Sequence, residues 1–194
     1  MNFLAHIYLS AQDEDEMVGN FMGDFVKGRD FATYPEAISR GIRLHRQIDT
    51  FTDQHPVFRQ STALLRPYSG KYAGVLADVY YDHFLAANWE SFYNLPLLDF
   101  SLHFYQNMER NYQYLPERVK GFFPNMRSNN WLVHYGEMWG IERSLQGIDN
   151  RTNGKSKLGE GATWLRDHYE ELKAHFMLFM PEVRSFVEET RENL

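Results

Sequence analysis

Apolar positions recur along the chain at intervals of three and four residues, and no run rich in Val, Ile and Thr alternates with a period of two. Residues 2–10 place Phe3, Leu4, Ile7 and Tyr8 at helical spacing, with His6 among them. A second helix is expected from Asp13, which can cap it with Glu16 three residues on. Met17, Val18, Phe21, Met22 and Phe25 mark its buried side, Asp24 lies near its end, and Gly28 suits its termination. Pro35 fits the first turn of a third helix, which should run to about Phe51. Pro56 then breaks the chain over 52–56, and Asp53 and His55 are expected to cap a short helix over 57–66. A turn at 67–70 leads into an apolar helix over 72–88. Another helix follows Pro96, and Pro116 and Pro124 bound a short segment after it. Residues 130–148 read as one helix, 151–161 as a polar, glycine-rich loop, and 164–189 as one or two helices with Pro181 as a kink or break. The pattern predicts an all-α fold, one domain over residues 1–194.

Two of these helices carry chemistry. In the third, His45, Asp49 and Asp53 recur at i, i+4 and i+8 and share a face, flanked by Arg43 and Arg46. Ile38, Ile42 and Ile48 indicate that much of the same helix is buried. An imidazole and two carboxylates in a row are costly to bury unless something positive lies against them. A divalent metal would serve, and so would the arginines. In the helix over 72–88, Asp78 and Asp82 are again i, i+4, with His83 beside them in a run of Ala, Val, Tyr, Phe and Leu. Two helices that each bring carboxylates and His into apolar surroundings are how metal sites are built between facing helices. Read singly, His6 is a core histidine and Asp24 a helix-end residue.

Composition narrows the chemistry. The 194 residues hold no cysteine, so any metal must be held by His, Asp and Glu, which favours Mg, Mn, Fe or Zn. The net charge of −6 argues against a nucleic-acid partner. The charge is uneven: residues 27–72 carry eight Lys/Arg against four acids, a balance of +4 that suits a phosphate-bearing or acidic partner. The N-terminus lacks the basic region of a signal peptide and no stretch is long enough to span a bilayer, so a cytoplasmic protein is expected.

The combination of Met1-Asn2-Phe3-Leu4-Ala5-His6, Gly19-Asn20-Phe21-Met22-Gly23-Asp24-Phe25-Val26-Lys27-Gly28, Leu44-His45-Arg46-Gln47-Ile48-Asp49, Thr52-Asp53 and Tyr81-Asp82-His83-Phe84-Leu85 resembles the acyl carrier protein phosphodiesterases. Trp131-Leu132-Val133-His134-Tyr135 and Gly140-Ile141-Glu142 extend the likeness over most of the chain. The resemblance implies a divalent-metal hydrolase, distantly related to the all-helical HD-type phosphohydrolases. It would release 4'-phosphopantetheine from the serine of holo-acyl carrier protein, with Mn the implied metal and Mg or Fe as alternatives. HD proteins present a contiguous His-Asp doublet, whereas here the only such doublet is reversed, as Asp82-His83. The implied ligands are His6, Asp24, His45 and Asp78, with Asp82 and His83 completing the shell or a second site. Asp49 would orient His45 or act as general base, and Arg43 and Arg46 would meet the phosphate. Two other readings fit the residues: a phosphohydrolase for another small phosphodiester or nucleotide, and a non-catalytic helical module that docks acidic proteins.

Overall fold

In a computed structural model, which describes residues 1–192 and 194, the chain is all-helical. Eleven α-helices occur among the described residues: α1 (Phe3–Leu9), α2 (Glu14–Met22), α3 (Glu36–Gln54), α4 (Pro56–Ser69), α5 (Ala73–Ala87), α6 (Leu97–Arg110), α7 (Glu117–Ser128), α8 (Trp131–His134), α9 (Met138–Arg151), α10 (Gly161–Asp167) and α11 (Tyr169–Arg191). No described helix is long and apolar enough to cross a membrane.

α5 is the hub. A helix that is apolar around its whole circumference has to be enclosed, and Leu76, Ala77, Tyr80, Tyr81, Phe84 and Leu85 are all fully buried. α1, α4, α9 and α11 pack against it. The aromatic residues largely supply this packing: Tyr81 meets Phe58, Phe176 and Phe179 at centroid distances of 5.4–5.5 Å.

The tightest pairing is α2 against α3. A Cβ on Gly19 would stand 2.0 Å from the Ile38 carbonyl oxygen, and one on Gly41 would stand 2.1 Å from that of Glu16. Only glycine permits backbones this close. Asp13 caps α2 through the Asp15 and Glu16 amides, as expected, but Glu16 does not reach back to complete a box. It is buried instead and receives Arg40 Nε at 2.7 Å and Arg191 Nε at 2.8 Å. Arg40 also donates to Asp13. The basic stretch is therefore partly neutralised inside the fold.

Several boundaries differ from the sequence reading. α3 continues to Gln54, so Asp53 lies within it, and neither Asp53 nor His55 caps α4 through a side chain. Pro56 occupies the first position of α4, where no amide hydrogen is needed, and that is enough to start the helix. Pro67, Pro124 and Pro181 lie inside α4, α7 and α11, where turn, boundary and kink were expected. The expected single helix over 130–148 is two, interrupted between His134 and Met138. The 151–161 loop is pinned by Ser156 Oγ, which donates to Asp149, and holds a short 3-10 turn at Leu158–Glu160.

Candidate metal centre

Four elements converge on one cluster. His6 comes from α1, Asn20 from α2, His45 and Asp49 from α3, and Asp78 from α5. The 3-10 turn Gly23–Phe25 adds Asp24. The imidazoles of His6 and His45, both buried, stack with centroids 3.9 Å apart and planes 19° from parallel. Gly23 makes room for this arrangement, since a Cβ there would lie 2.3 Å from the His45 ring.

Asn20 sets the protonation of both rings. Its side-chain oxygen lies 2.8 Å from His6 Nδ1, and its backbone oxygen lies 2.7 Å from His45 Nδ1. Its amide nitrogen is used as a donor to the His6 carbonyl at 2.9 Å, which fixes Oδ1 as the end that faces the ring. Both Nδ1 atoms must therefore donate, so each ring when neutral presents its Nε2 lone pair, and when protonated donates from Nε2 as well.

Those lone pairs point at oxygens. His6 Nε2 lies 3.2 Å from Asp49 Oδ1 and 3.2 Å from the Met1 carbonyl oxygen. His45 Nε2 lies 3.1 Å from Asp49 Oδ2 and 3.3 Å from Asp24 Oδ1. Acceptor facing acceptor is repulsive unless a proton or cation stands between them. The α-amino nitrogen of Met1 lies 3.3 Å from Asp49 Oδ1 and 3.1 Å from Asp78 Oδ1. His45 Nε2 and Asp78 Oδ1 are nonetheless buried without a hydrogen-bond partner.

The acid–base properties follow from this crowding. Burial and the neighbouring His45 push His6 down to about 4. Burial works against a charged His45 too, but Asp24 and Asp49 hold it up, to about 9. Burial would raise Asp49, yet hydrogen bonds to His45 and His6 keep it well below the usual carboxylate range. Asp24 is lowered by its hydrogen bond to His45, and Asp78 is raised by burial. The cluster is a cage of three carboxylates whose positive charge comes from His45 and from the Met1 ammonium, which burial opposes but Asp78 and Asp49 hold up to about 11.

His6, His45 and Asp49 each offer a ligand atom, all within 4.8 Å of one another. The donor set, two imidazole nitrogens with carboxylate oxygen, suits a divalent first-row metal or Mg. Of the residues read from the sequence, the fold brings His6, Asp24, His45, Asp49 and Asp78 together. Four others stand elsewhere. Asp82, fully buried, accepts the Leu4 and Ala5 amides at 2.7 and 2.9 Å, so both its oxygens cap the N-terminus of α1. His83 lies 2.8 Å from the Tyr135 carbonyl and 3.2 Å from the Tyr169 hydroxyl, beside a separate depression. Arg46 donates to the Gly28 and Val26 carbonyls at 2.7 and 2.9 Å and lies over Phe31, which braces the segment before α3. Arg43 pairs with Glu36 at 3.0 Å.

Asn20 was missed by the sequence reading, although it lies inside one of the quoted motifs. Its signal is faint because half its contribution is a backbone oxygen, which any residue possesses.

The chain was compared with known proteins. The family model described as acyl carrier protein phosphodiesterase matches residues 1–183. A relative of that name in Photorhabdus laumondii subsp. laumondii is 33% identical over 184 residues, covering 93% of this chain and 92% of its own. One in Klebsiella pneumoniae is 33% identical over 189 residues, covering 97% and 98%. One in Yersinia pestis is 32% identical over 182 residues, covering 93% and 94%. No solved structure matches.

Proposed function

The chain belongs to the acyl carrier protein phosphodiesterase family, and from that premise we propose that it hydrolyses holo-acyl carrier protein to the apo-protein and 4'-phosphopantetheine, in the cytoplasm, at the His6–His45–Asp49 cluster. The observation that carries the placement is that Asn20 holds both Nδ1 atoms, which turns both Nε2 atoms toward carboxylate oxygen.

In this reading His6 Nε2, His45 Nε2 and Asp49 hold a divalent cation, with Mn expected ahead of Mg or Fe. Asp49 is thus a ligand rather than only an orienter of His45. A divalent cation there supplies a Lewis acid for the phosphoryl oxygens and makes water a nucleophile near neutral pH. Asn20 keeps the two rings in the tautomer and orientation that binding requires. Asp78, half-buried on α5 with its carboxylate 3.1 Å from the Met1 ammonium, adds a further carboxylate to the cluster. Asp24, whose side chain is 65% exposed, is the carboxylate at the open edge and is suited to take a proton from the attacking water.

The bond formed joins the water oxygen to phosphorus, and the bond broken joins phosphorus to the carrier's serine oxygen. The serine leaves as its hydroxyl, taking up the proton that Asp24 accepted from the water. With Arg43 and Arg46 engaged elsewhere, Arg118 is the cation best placed for the phosphate. It is exposed and lies over the ring of Phe25, next to Asp24, at 5.4 Å. The reading makes the chain a distant relative of the HD-type phosphohydrolases in which two histidines and Asp49 replace the contiguous doublet.

The test is to incubate holo-acyl carrier protein with this protein and Mn and follow the carrier's mass. Loss of the phosphopantetheine mass supports the reading. An unchanged carrier beside a hydrolysed small diester would redirect it to another phosphodiester.

A further inference from the structure

The cluster does not explain a cavity of about 620 Å³ formed by α8, α9 and the start of the chain. That volume lies within the range of about 300–1,000 Å³ typical of small-molecule sites. Its wall includes Asn2 and Val79, the chain neighbours of Met1 and Asp78, whose nitrogen and carboxylate are 3.1 Å apart in the cluster. The cavity therefore begins one residue away from the candidate metal centre.

An aromatic track joins the two. Phe25, beside Asp24, lies 5.6 Å from Phe122, and Phe122 lies 6.1 Å from Trp131 with planes only 7° apart. Phe3 touches both Phe25 and Phe122, at 6.4 and 5.8 Å. All four rings are half-buried and pack against the edge of the core. Trp131 also lines the cavity, and Trp139, 49% exposed, stands at its mouth with its ring 4.4 Å from that of His134. These ring contacts, at the edge of the core, run from beside the open carboxylate to the cavity wall.

The remaining lining is of a second kind. Asn129, Gln146 and Asn150 bring amides, of which Gln146 donates to Asn150 and Asn129 to the Asn125 carbonyl, Ser144 a hydroxyl, Glu142 a carboxylate, and Arg143 and Arg151 guanidinium groups. Neither arginine has an ion-pair partner among the described residues. Aromatic faces combined with amide groups suit a ligand that alternates short apolar stretches with amide bonds.

We propose that this track and cavity bind the pantetheine arm of the substrate, with its phosphate end at Asp24 and its thiol or acyl end beyond Trp131. The assignment rests on the reading of the chain as a holo-carrier phosphodiesterase. It goes further by saying which part of the substrate is recognised and where. Pantetheine has a geminal dimethyl group and a hydroxyl near the phosphate end, then two amides, then the thiol. The dimethyl group falls on the Phe25–Phe122 rings, and the amides fall among Asn129, Gln146 and Asn150. Binding energy gathered along the arm, remote from the reacting phosphorus, is then available to position the diester.

Gly147 supplies the probe. It lines the cavity within α9, and a Cβ added there meets nothing within 4 Å. Gly147→Phe therefore puts bulk into the hollow, and it replaces a poor helix former. Trp139→Ala, at an exposed position, removes the ring at the mouth. Calorimetry with pantetheine, which lacks the phosphate, reads the cavity without any catalysis, and kcat/KM is measured in parallel on holo-carrier and on bis(4-nitrophenyl) phosphate. Pantetheine should bind the natural chain and bind each variant about tenfold more weakly or worse. The loss of kcat/KM on holo-carrier should exceed the loss on the small diester by a similar factor. Failure of the natural chain to bind pantetheine, or equal losses on both substrates, overturns the proposal. If the natural chain binds pantetheine in this cavity but hydrolyses no holo-carrier, the arm site stands and the phosphodiesterase reading falls.

Discussion

His6 and His45 stack face to face, 3.9 Å between centroids, with both Nδ1 atoms resting on oxygens of the same residue, Asn20. The contact joins the first helix to the third and turns two separate side chains into one bidentate grip.

Asn20→Ala should therefore weaken metal binding although Asn20 is not itself proposed as a ligand. His6 would lose the partner that fixes its tautomer, while His45 would keep a backbone oxygen. Loss of such a partner typically costs about 10–100-fold in affinity. Titration of Mn into the variant by calorimetry checks this, and affinity within about twofold of the natural chain would refute it.

Asp49 and Asp82 should separate cleanly. Asp49→Asn removes charge from the cage, so metal retention and turnover should collapse while far-UV circular dichroism stays unchanged. Asp82→Ala instead uncovers the buried amides of Leu4 and Ala5, at a cost of about 1–3 kcal/mol for each buried donor left unpaired. Its Tm should fall, and the fraction still folded should retain metal. Metal loss in Asp82→Ala without loss of Tm would mean that Asp82 is a ligand after all.

Chelation should act on stability as well as on activity. A cation that binds only the folded chain adds RT ln(1 + [L]/Kd), about 2.7 kcal/mol at a hundredfold excess over Kd. Scanning calorimetry with and without EDTA should show a lower Tm after chelation, restored by Mn. The same Tm in both conditions would leave the cluster without an ion of its own.

Arg118→Ala should raise KM for holo-carrier. A hydrogen bond to a charged group contributes about 1.5–3 kcal/mol, which corresponds to roughly 10–100-fold. Arg43→Ala should change KM little, because its guanidinium pairs with Glu36. Steady-state kinetics on the two variants decides between them.

His83 gives a pH signature. Burial lowers its pKa, and the Tyr135 carbonyl only partly opposes this. A histidine depressed on folding binds its proton more readily in the unfolded chain. Stability should therefore decline as pH falls below the unfolded value of about 6.5, and be steady above it. Thermal melts between pH 5 and 8 should show a shallower decline in His83→Gln than in the natural chain. Parallel curves would exclude the effect.

The helical class was readable because apolar spacing survives in sequence, and so was the His45–Asp49 pair, since i, i+4 neighbours on a helix share a face. His6 and Asp24 owe their partnership to tertiary packing and were reachable only through family likeness. Asp82 meets the amides of α1 rather than the cluster for a physical reason. A carboxylate in apolar surroundings needs compensation, and a metal and the bare N-terminus of another helix satisfy it equally well. α1 lacks a side-chain cap of its own at Asn2, a deficit that local pattern does not reveal. Arg43 and Arg46 flank the site in sequence, but a helix turns neighbours about 100° apart; Arg46 reaches the segment before its helix and Arg43 pairs with Glu36 in the helix's own first turn. The prolines at 67 and 124 were over-read, as helices accommodate them in this fold, and Pro181 lies inside one continuous helix rather than breaking it.

The glycine contact between α2 and α3 bears on how lost function would be inherited. Gly41 offers no ligand atom, yet a Cβ there would stand 2.8 Å from the Asn20 backbone nitrogen, so any side chain would drive the backbone carrying Asn20 away from the one carrying His45. A random mutagenesis screen that scored carrier hydrolysis would recover this codon among its strongest hits, one helical turn from the histidine whose partner it displaces. Such an allele would look like a lesion in metal handling, and supplying more Mn would not rescue it.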